Sequence, residues 1–236
     1  DRSCYWRSRS GCGEIGQLPG ISKDRPDVNA GVKEMQLILV RHGETPWNKE
    51  GRIQGTSDIE LSDTGIEQAR KLALSLKDSK IEAIHASPLK RAYRTAEIIN
   101  SFHGRNIEVH PELMEMDQGD FEGLSFQELL ACEKEFIHRW IADPASVKMP
   151  RGESLAELQD RVWPTVEKII AGERNALVVA HNFIIAAILC RIRDISLSEF
   201  RSTCVDTASR TVIRFRDGRA NIEVMNDRSH LTVPGL

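Results

Sequence analysis

An α/β domain with a mostly parallel central sheet and helices on both faces is predicted by three features of this sequence. Short continuous apolar runs, "MQLILV" at 35–40 and "ALVVA" at 176–180, read as strands buried on both faces. Stretches with apolar residues at helical spacing alternate with such runs, the pattern of a sheet covered by crossover helices. The roughly 200 residues from Met35 onward show no internal repeat and no linker, which fits a single domain.

Taken in order, "MQLILV" is the first strand. "LSDTGIEQARKLALSLK" follows as a helix, with Ile66, Ala69, Leu72, Ala73 and Leu76 on one face and Ser62 or Asp63 as its cap. "IEAIHAS" is the second strand. "SPLKRAYRTAEIINSF" is a helix with Ser87 as cap and Pro88 in the first turn, where a missing N–H costs nothing. "IEVH" is a short third strand. "SFQELLACEKEFIHRWI" reads as one amphipathic helix. "ESLAELQDRVWPTVEKIIAGE" is a long helix opened by a Ser154/Glu157 capping box, with a kink expected at Pro164. "ALVVAH" is the fourth strand and "NFIIAAILCRIR" a buried helix behind it. "RTVIRFRDGRANIEVMN" closes the chain as two strands around Asp217-Gly218, a hairpin signal.

Residues 1–34 differ from this pattern. They are rich in Gly, Ser, Arg and Pro, lack either periodicity and lack the apolar core of a secretory signal. The expectation is a disordered tail, or an artefact of start assignment, ahead of a domain spanning 35–236. A net charge of −3 supplies no basic field for nucleic acid or an anionic membrane, and runs such as "FIIAAILC" are too short to cross a bilayer. The five cysteines are scattered without a C-x-x-C, which argues against a disulfide framework or structural zinc and for a reducing, cytoplasmic setting. No cluster of Asp and His with ligand spacing appears, so neither metal nor other cofactor is expected.

In open α/β sheets, ligands bind beyond the carboxyl ends of the strands. Arg41, His42 and Gly43 follow the first strand, and His181 follows the fourth. Arg91 lies near the start of the helix after the second strand, and Glu115 in the loop after the third. Two histidines, two arginines and a carboxylic acid suit phosphoryl transfer. Arginine binds phosphate oxygens bidentately, a neutral histidine attacks phosphorus, and a protonated carboxyl donates to the departing oxygen. Gly43 would let the backbone approach the phosphate. Crowding of Glu115 by Glu112, Asp117, Asp120 and Glu122 would raise its pKa.

"LVRHGETPWN" (39–48), "GRIQG" (51–55), "LSDTGIEQA" (61–69), "ASPLKRAYRTAEII" (86–99), "LMEMDQGDFEGLS" (113–125) and "VVAHNFII" (178–185) follow one another as in the histidine phosphatase superfamily, and the chain resembles its phosphoglycerate-mutase-like branch. The resemblance implies His42 as the nucleophile that becomes phosphohistidine, and Arg41, Arg91 and His181 as the rest of the phosphate pocket. It implies Glu115 as general acid and then base, Asn48 as a steadying amide, and Gln54 and Gly55 at the rim. Asn182 and Phe183 stand where the family often has glycine, and Phe183 should narrow that wall or make it more apolar. His85, His103, His110, His138 and His230 fit no site and read as structural, as do Trp140 and Trp163.

Mutases that resemble this family carry paired arginines and a proline run after the E-G block. Here Lys134, Arg139, Lys148 and Arg151 are scattered. The expectation is a metal-independent phosphatase acting on a small phosphorylated metabolite, with phosphoglycerate mutase and a non-catalytic phospho-ligand module as the alternatives. The compact form resembles broad-specificity and α-ribazole phosphatases, and the sequence leaves the oligomeric state open, a homodimer included.

Overall fold

The computed structural model describes residues 34–232. The tail expected over 1–34 lies outside the described residues except for Glu34, which opens the first strand. Strand β1 (Glu34–Arg41) is flanked on one side by the parallel β4 (Ala176–Ala180) and on the other by the antiparallel β5 (Arg210–Arg216). The full order is β3-β2-β4-β1-β5-β6, with β2 at Ala83–Ala86, β3 at Ile107–Val109 and β6 at Arg219–Asp227. The β1–β4, β2–β4 and β2–β3 pairs are parallel, and the β5–β6 hairpin adds an antiparallel edge. That hairpin turns on Asp217 and Gly218, both at positive φ (49° and 74°), as a two-residue turn matched to strand twist requires.

The central strands are apolar throughout because both faces are covered. Ile38, Val40, Leu177 and Val179 pack with Leu72 and Leu76 of α2 (Asp63–Leu76, after the short α1, Pro46–Glu50) and with Ala96 and Ile99 of α3 (Lys90–Asn100). The alternate residues Leu37, Leu39, Val178 and Ala180 face the other layer. There they meet Leu158, Val162 and Val166 of α6 (Leu155–Ala171) and the buried α7 (Asn182–Ile192).

Two local expectations change. The stretch after Ser125 is two helices, α4 (Phe126–Cys132) and α5 (Lys134–Ala142), because Glu133 leaves helical geometry at φ −127°, ψ 45°. Helix α3 starts at Lys90 behind Leu89, which offers no side-chain cap, so Ser87 is not the cap. Helix α6 keeps its Ser154/Glu157 capping box and runs on through Pro164 to Ala171. Ser62, as expected, caps α2 by accepting from the Gly65 N–H.

Candidate active site

The carboxyl ends of β1, β2 and β4 meet at one crevice, and the loop after β3 reaches over it. A cavity of about 510 Å³ opens there, lined by Arg41, His42, Asn48, Gln54, Gly55, Arg91 and Glu115 together. His181 packs beside His42 with ring centroids 5.2 Å apart. All eight residues singled out in the sequence therefore converge, although five separate stretches of chain supply them.

His42 leaves β1 with its backbone N–H on the Ala180 carbonyl, which ties it to the end of β4. Its Nδ1 lies 2.7 Å from the Gly43 carbonyl oxygen. A carbonyl only accepts, so Nδ1 carries the proton and Nε2 keeps the lone pair. Burial pushes the His42 pKa well below 6.5, with Arg91 and Arg41 adding to the effect and the Gly43 carbonyl opposing it. His181 is likewise held well below 6.5, by burial first and Arg91 second. Both rings are neutral near pH 7.

Ser87 is the residue that sequence reasoning misplaced. Its hydroxyl accepts from the Leu89 N–H at 3.3 Å and lies 2.8 Å from His181 Nε2. The hydroxyl hydrogen is thus free to donate to Nε2, which leaves the imidazole proton on Nδ1. A serine directly after a strand and before a proline resembled a cap, and nothing local revealed a partner 94 residues away.

Arg91 is fully buried. It donates to the Gly55 and Ser57 carbonyls, each at 2.7 Å, and burial lowers its pKa only to about 10, so it remains a cation. The loop that offers those carbonyls is held by Glu122, whose carboxylate accepts from the N–H and hydroxyl groups of Thr56 and Ser57. Gly55 sits at φ +52° against this carboxylate, where a Cβ would come within 2.0 Å of Glu122 Oε1. The Glu122 role was hidden in sequence among the other acids of its loop. Arg41 donates to the Val205 carbonyl at 2.6 Å. Asn48 closes a capping box with Thr45, and Gln54 Oε1 lies 3.0 Å from the same threonine hydroxyl.

Glu115 is buried and accepts from the Met116 and Phe183 N–H groups. Its pKa is raised from 4.5 by burial, which outweighs those bonds and the nearby Arg91 and Arg41. The direction matches the sequence expectation, but the cause is burial and not the crowding of acids. Gly43 also has a reason in the packing of the fold. A Cβ there would lie 2.4 Å from the Gly65 carbonyl oxygen, so Gly43 lets β1 pass close to α2.

Three buried donors around the two histidines, Arg41 Nε, Arg91 Nε and His181 Nδ1, have no hydrogen-bond partner. Unpartnered buried donors are rare, and a cluster of them fits an anion. Beyond this polar floor the wall is apolar. Phe183 lines it, as expected, stacked on Trp140 with centroids 6.0 Å apart. Trp140 is buried core and cavity wall at once.

Neutral histidines, buried arginines and a carboxyl whose pKa burial raises, gathered beyond the carboxyl ends of the strands, suit phosphoryl transfer. Residues 37–228 match the family model of the histidine phosphatase superfamily (branch 1), so the chain belongs to that superfamily. It is 36% identical over 201 residues to phosphoserine phosphatase 1 of Hydrogenobacter thermophilus, covering 84% of this chain and 94% of the relative. It is 31% identical to a probable phosphoglycerate mutase GpmB of Escherichia fergusonii, covering 86% and 97%. The structure of an α-ribazole phosphatase from Shigella flexneri superposes with TM-score 0.75 at 28% identity, covering 82% and 97%. The chain is an enzyme of the histidine phosphatase type. Among the described residues, no helix is long and apolar enough to cross a membrane.

Proposed function

We propose that this chain hydrolyses phosphomonoesters without metal, through a phosphohistidine on His42. The supporting observation is the pairing of a His42 Nε2 lone pair with unpartnered donors from Arg41, Arg91 and His181 in one buried cluster. Nε2 attacks phosphorus as the ester P–O bond breaks, and Glu115 gives its proton to the departing oxygen. The arginines and His181 Nδ1–H stabilise charge on the phosphoryl oxygens. Glu115, now a carboxylate, takes a proton from water. The resulting hydroxide displaces the phosphoryl group, the P–N bond breaks, and phosphate leaves with His42 neutral again. Asn48, Gln54 and Gly55 shape the rim.

The mutase reading has a named relative behind it, but a mutase must seat a second phosphate. Lys134, Arg139, Lys148 and Arg151 do not line the cavity. Lys148 pairs with Glu157, and Arg151 pairs with Asp120. The one further lining arginine, Arg52, is engaged by Glu50 at 2.7 Å. Ile53, Phe126, Leu129, Phe136, Trp140 and Phe183 instead favour a leaving alcohol with an apolar part. A cytoplasmic setting suits the three described cysteines, which are all free thiols.

The test is phosphate release in EDTA from p-nitrophenyl phosphate, α-ribazole phosphate, phosphoserine and 3-phosphoglycerate, with His42→Ala as control. Release that vanishes in His42→Ala, with the esters of apolar alcohols fastest, is expected. Conversion of 3-phosphoglycerate to 2-phosphoglycerate without phosphate release would establish the mutase instead.

A further inference from the structure

A second constellation lies at the β2–β3 edge, in a cavity of about 330 Å³ that shares no lining residue with the first. His85 on β2 stands opposite Glu108 on the parallel β3. His110, two residues further on, projects to the same face, because alternate residues share a side. Its N–H donates to the Ala86 carbonyl, which holds it against β2. His85 Nδ1 lies 3.0 Å from His110 Nε2 and 3.5 Å from Glu108 Oε2, and all three ligand atoms fall within 4.8 Å of one another. For bonds of about 2.0–2.1 Å to a tetrahedral zinc-class ion, adjacent ligand atoms sit roughly 3.3–3.4 Å apart. The two observed separations bracket that edge.

We propose that His85 Nδ1, His110 Nε2 and a Glu108 carboxylate oxygen hold a divalent transition-metal ion, in a site distinct from the phosphoryl pocket. Two imidazoles and a carboxylate suit zinc and its neighbours better than magnesium or calcium. The exposed Glu108 side chain is free to complete the triangle, while its other oxygen faces Arg174 at 4.0 Å. Glu112 lines the same cavity and adds negative charge that offsets Lys168 and Arg174, and water would take the open position. The ion would join β2 to β3 at the start of the turn Pro111–Leu113, the segment that leads to Glu115. It would therefore brace the fold and take no part in chemistry. Sequence reasoning assigned His85 and His110 no site, because their ligand set forms only when β3 docks beside β2.

The experiment uses the full chain after chelator treatment. Zinc ion is added by calorimetric titration, cobalt(II) by visible absorption, and melting is followed with and without one equivalent of metal. One strong site, a tetrahedral cobalt spectrum and a raised melting temperature are expected. Glu108→Gln should fold, being exposed. It and His110→Ala should each weaken that site by at least the roughly 10–100-fold that lesser changes around a metal cost. The proposal is overturned if zinc ion neither binds stoichiometrically nor raises the melting temperature, leaving only a hydrogen-bonded histidine pair. Unchanged binding in both variants overturns it equally. The readouts are binding and melting, so failure here leaves the phosphatase reading standing, and loss of His42 activity leaves this site standing.

Discussion

Burial sets the protonation of the site one residue at a time, and it acts in opposite directions on acids and bases. His42 and His181 lose protons they would hold at 6.5, whereas Glu115 keeps one past 4.5. The profile of kcat/KM against pH should therefore have its acid limb below the ordinary histidine range and its alkaline limb above the ordinary carboxylate range. Glu115→Gln should slow alkyl phosphates by about 10²–10⁴-fold and p-nitrophenyl phosphate far less, because nitrophenolate scarcely needs a proton. Equal losses on both esters would assign the acid elsewhere. The same group has a stability signature. With its folded pKa above the unfolded value, its contribution is present at low pH and is lost as pH rises through the folded pKa. Glu115→Gln should thus gain stability over the parent as pH rises above the ordinary carboxylate value, up to the raised folded pKa, read as the difference in melting temperature. Arg41, His42, Arg91 and His181 were legible in sequence because each ends a strand or opens a helix, whereas Glu115 lies in the loop after β3, and Asn48, Gln54 and Gly55 were marked by the family resemblance. Ser87 and Glu122 were not legible, because their partners are remote in the chain or masked by similar neighbours.

The junction of β1 with α2 carries the nucleophile, and two glycines make it possible. A Cβ on Gly65 would fall 2.0 Å from the Glu44 carbonyl oxygen, just as one on Gly43 would strike Gly65. Both obstacles are backbone, so the elements themselves must separate. Gly65→Ala should cost about 1–3 kcal/mol, the scale of overpacking, measurable by denaturant unfolding. It should lower kcat as well, since the strand end that orients His42 moves with Glu44. A stable, fully active Gly65→Ala protein would show that the contact is slack. The other instructive element is the break at Glu133. Periodicity ran unbroken across it, so the sequence read as one helix. The non-helical backbone of Glu133 divides it into two short helices instead, with Leu129 buried from the first and Ile137 and Trp140 from the second. Their apolar faces become part of the cavity wall.

Across the whole molecule, the described residues open at Glu34, whose carboxylate pairs with Arg214 of β5 at 2.9 Å. Removing residues 1–33 should leave melting temperature and kcat/KM unchanged, and a marked fall in either would show that the segment docks on the domain. Glu34 should be kept, since the shortened chain would otherwise lose that pair. The sequence by itself determined the α/β class, the strand-end positions of His42 and His181, and the phosphoryl chemistry. Each is written in local signals: continuous apolar runs, helical spacing and residue types adjacent in the chain. Only the tertiary structure decided which neighbours tune them. Strand order places β1 against β4, so the two histidines meet. Burial, which no local pattern encodes, raises the Glu115 pKa, and the Ser87 hydroxyl, remote in the chain, fixes the His181 tautomer. The apolar wall that faces the leaving group, and the His85–Glu108–His110 triangle, likewise exist only because elements distant in sequence pack side by side.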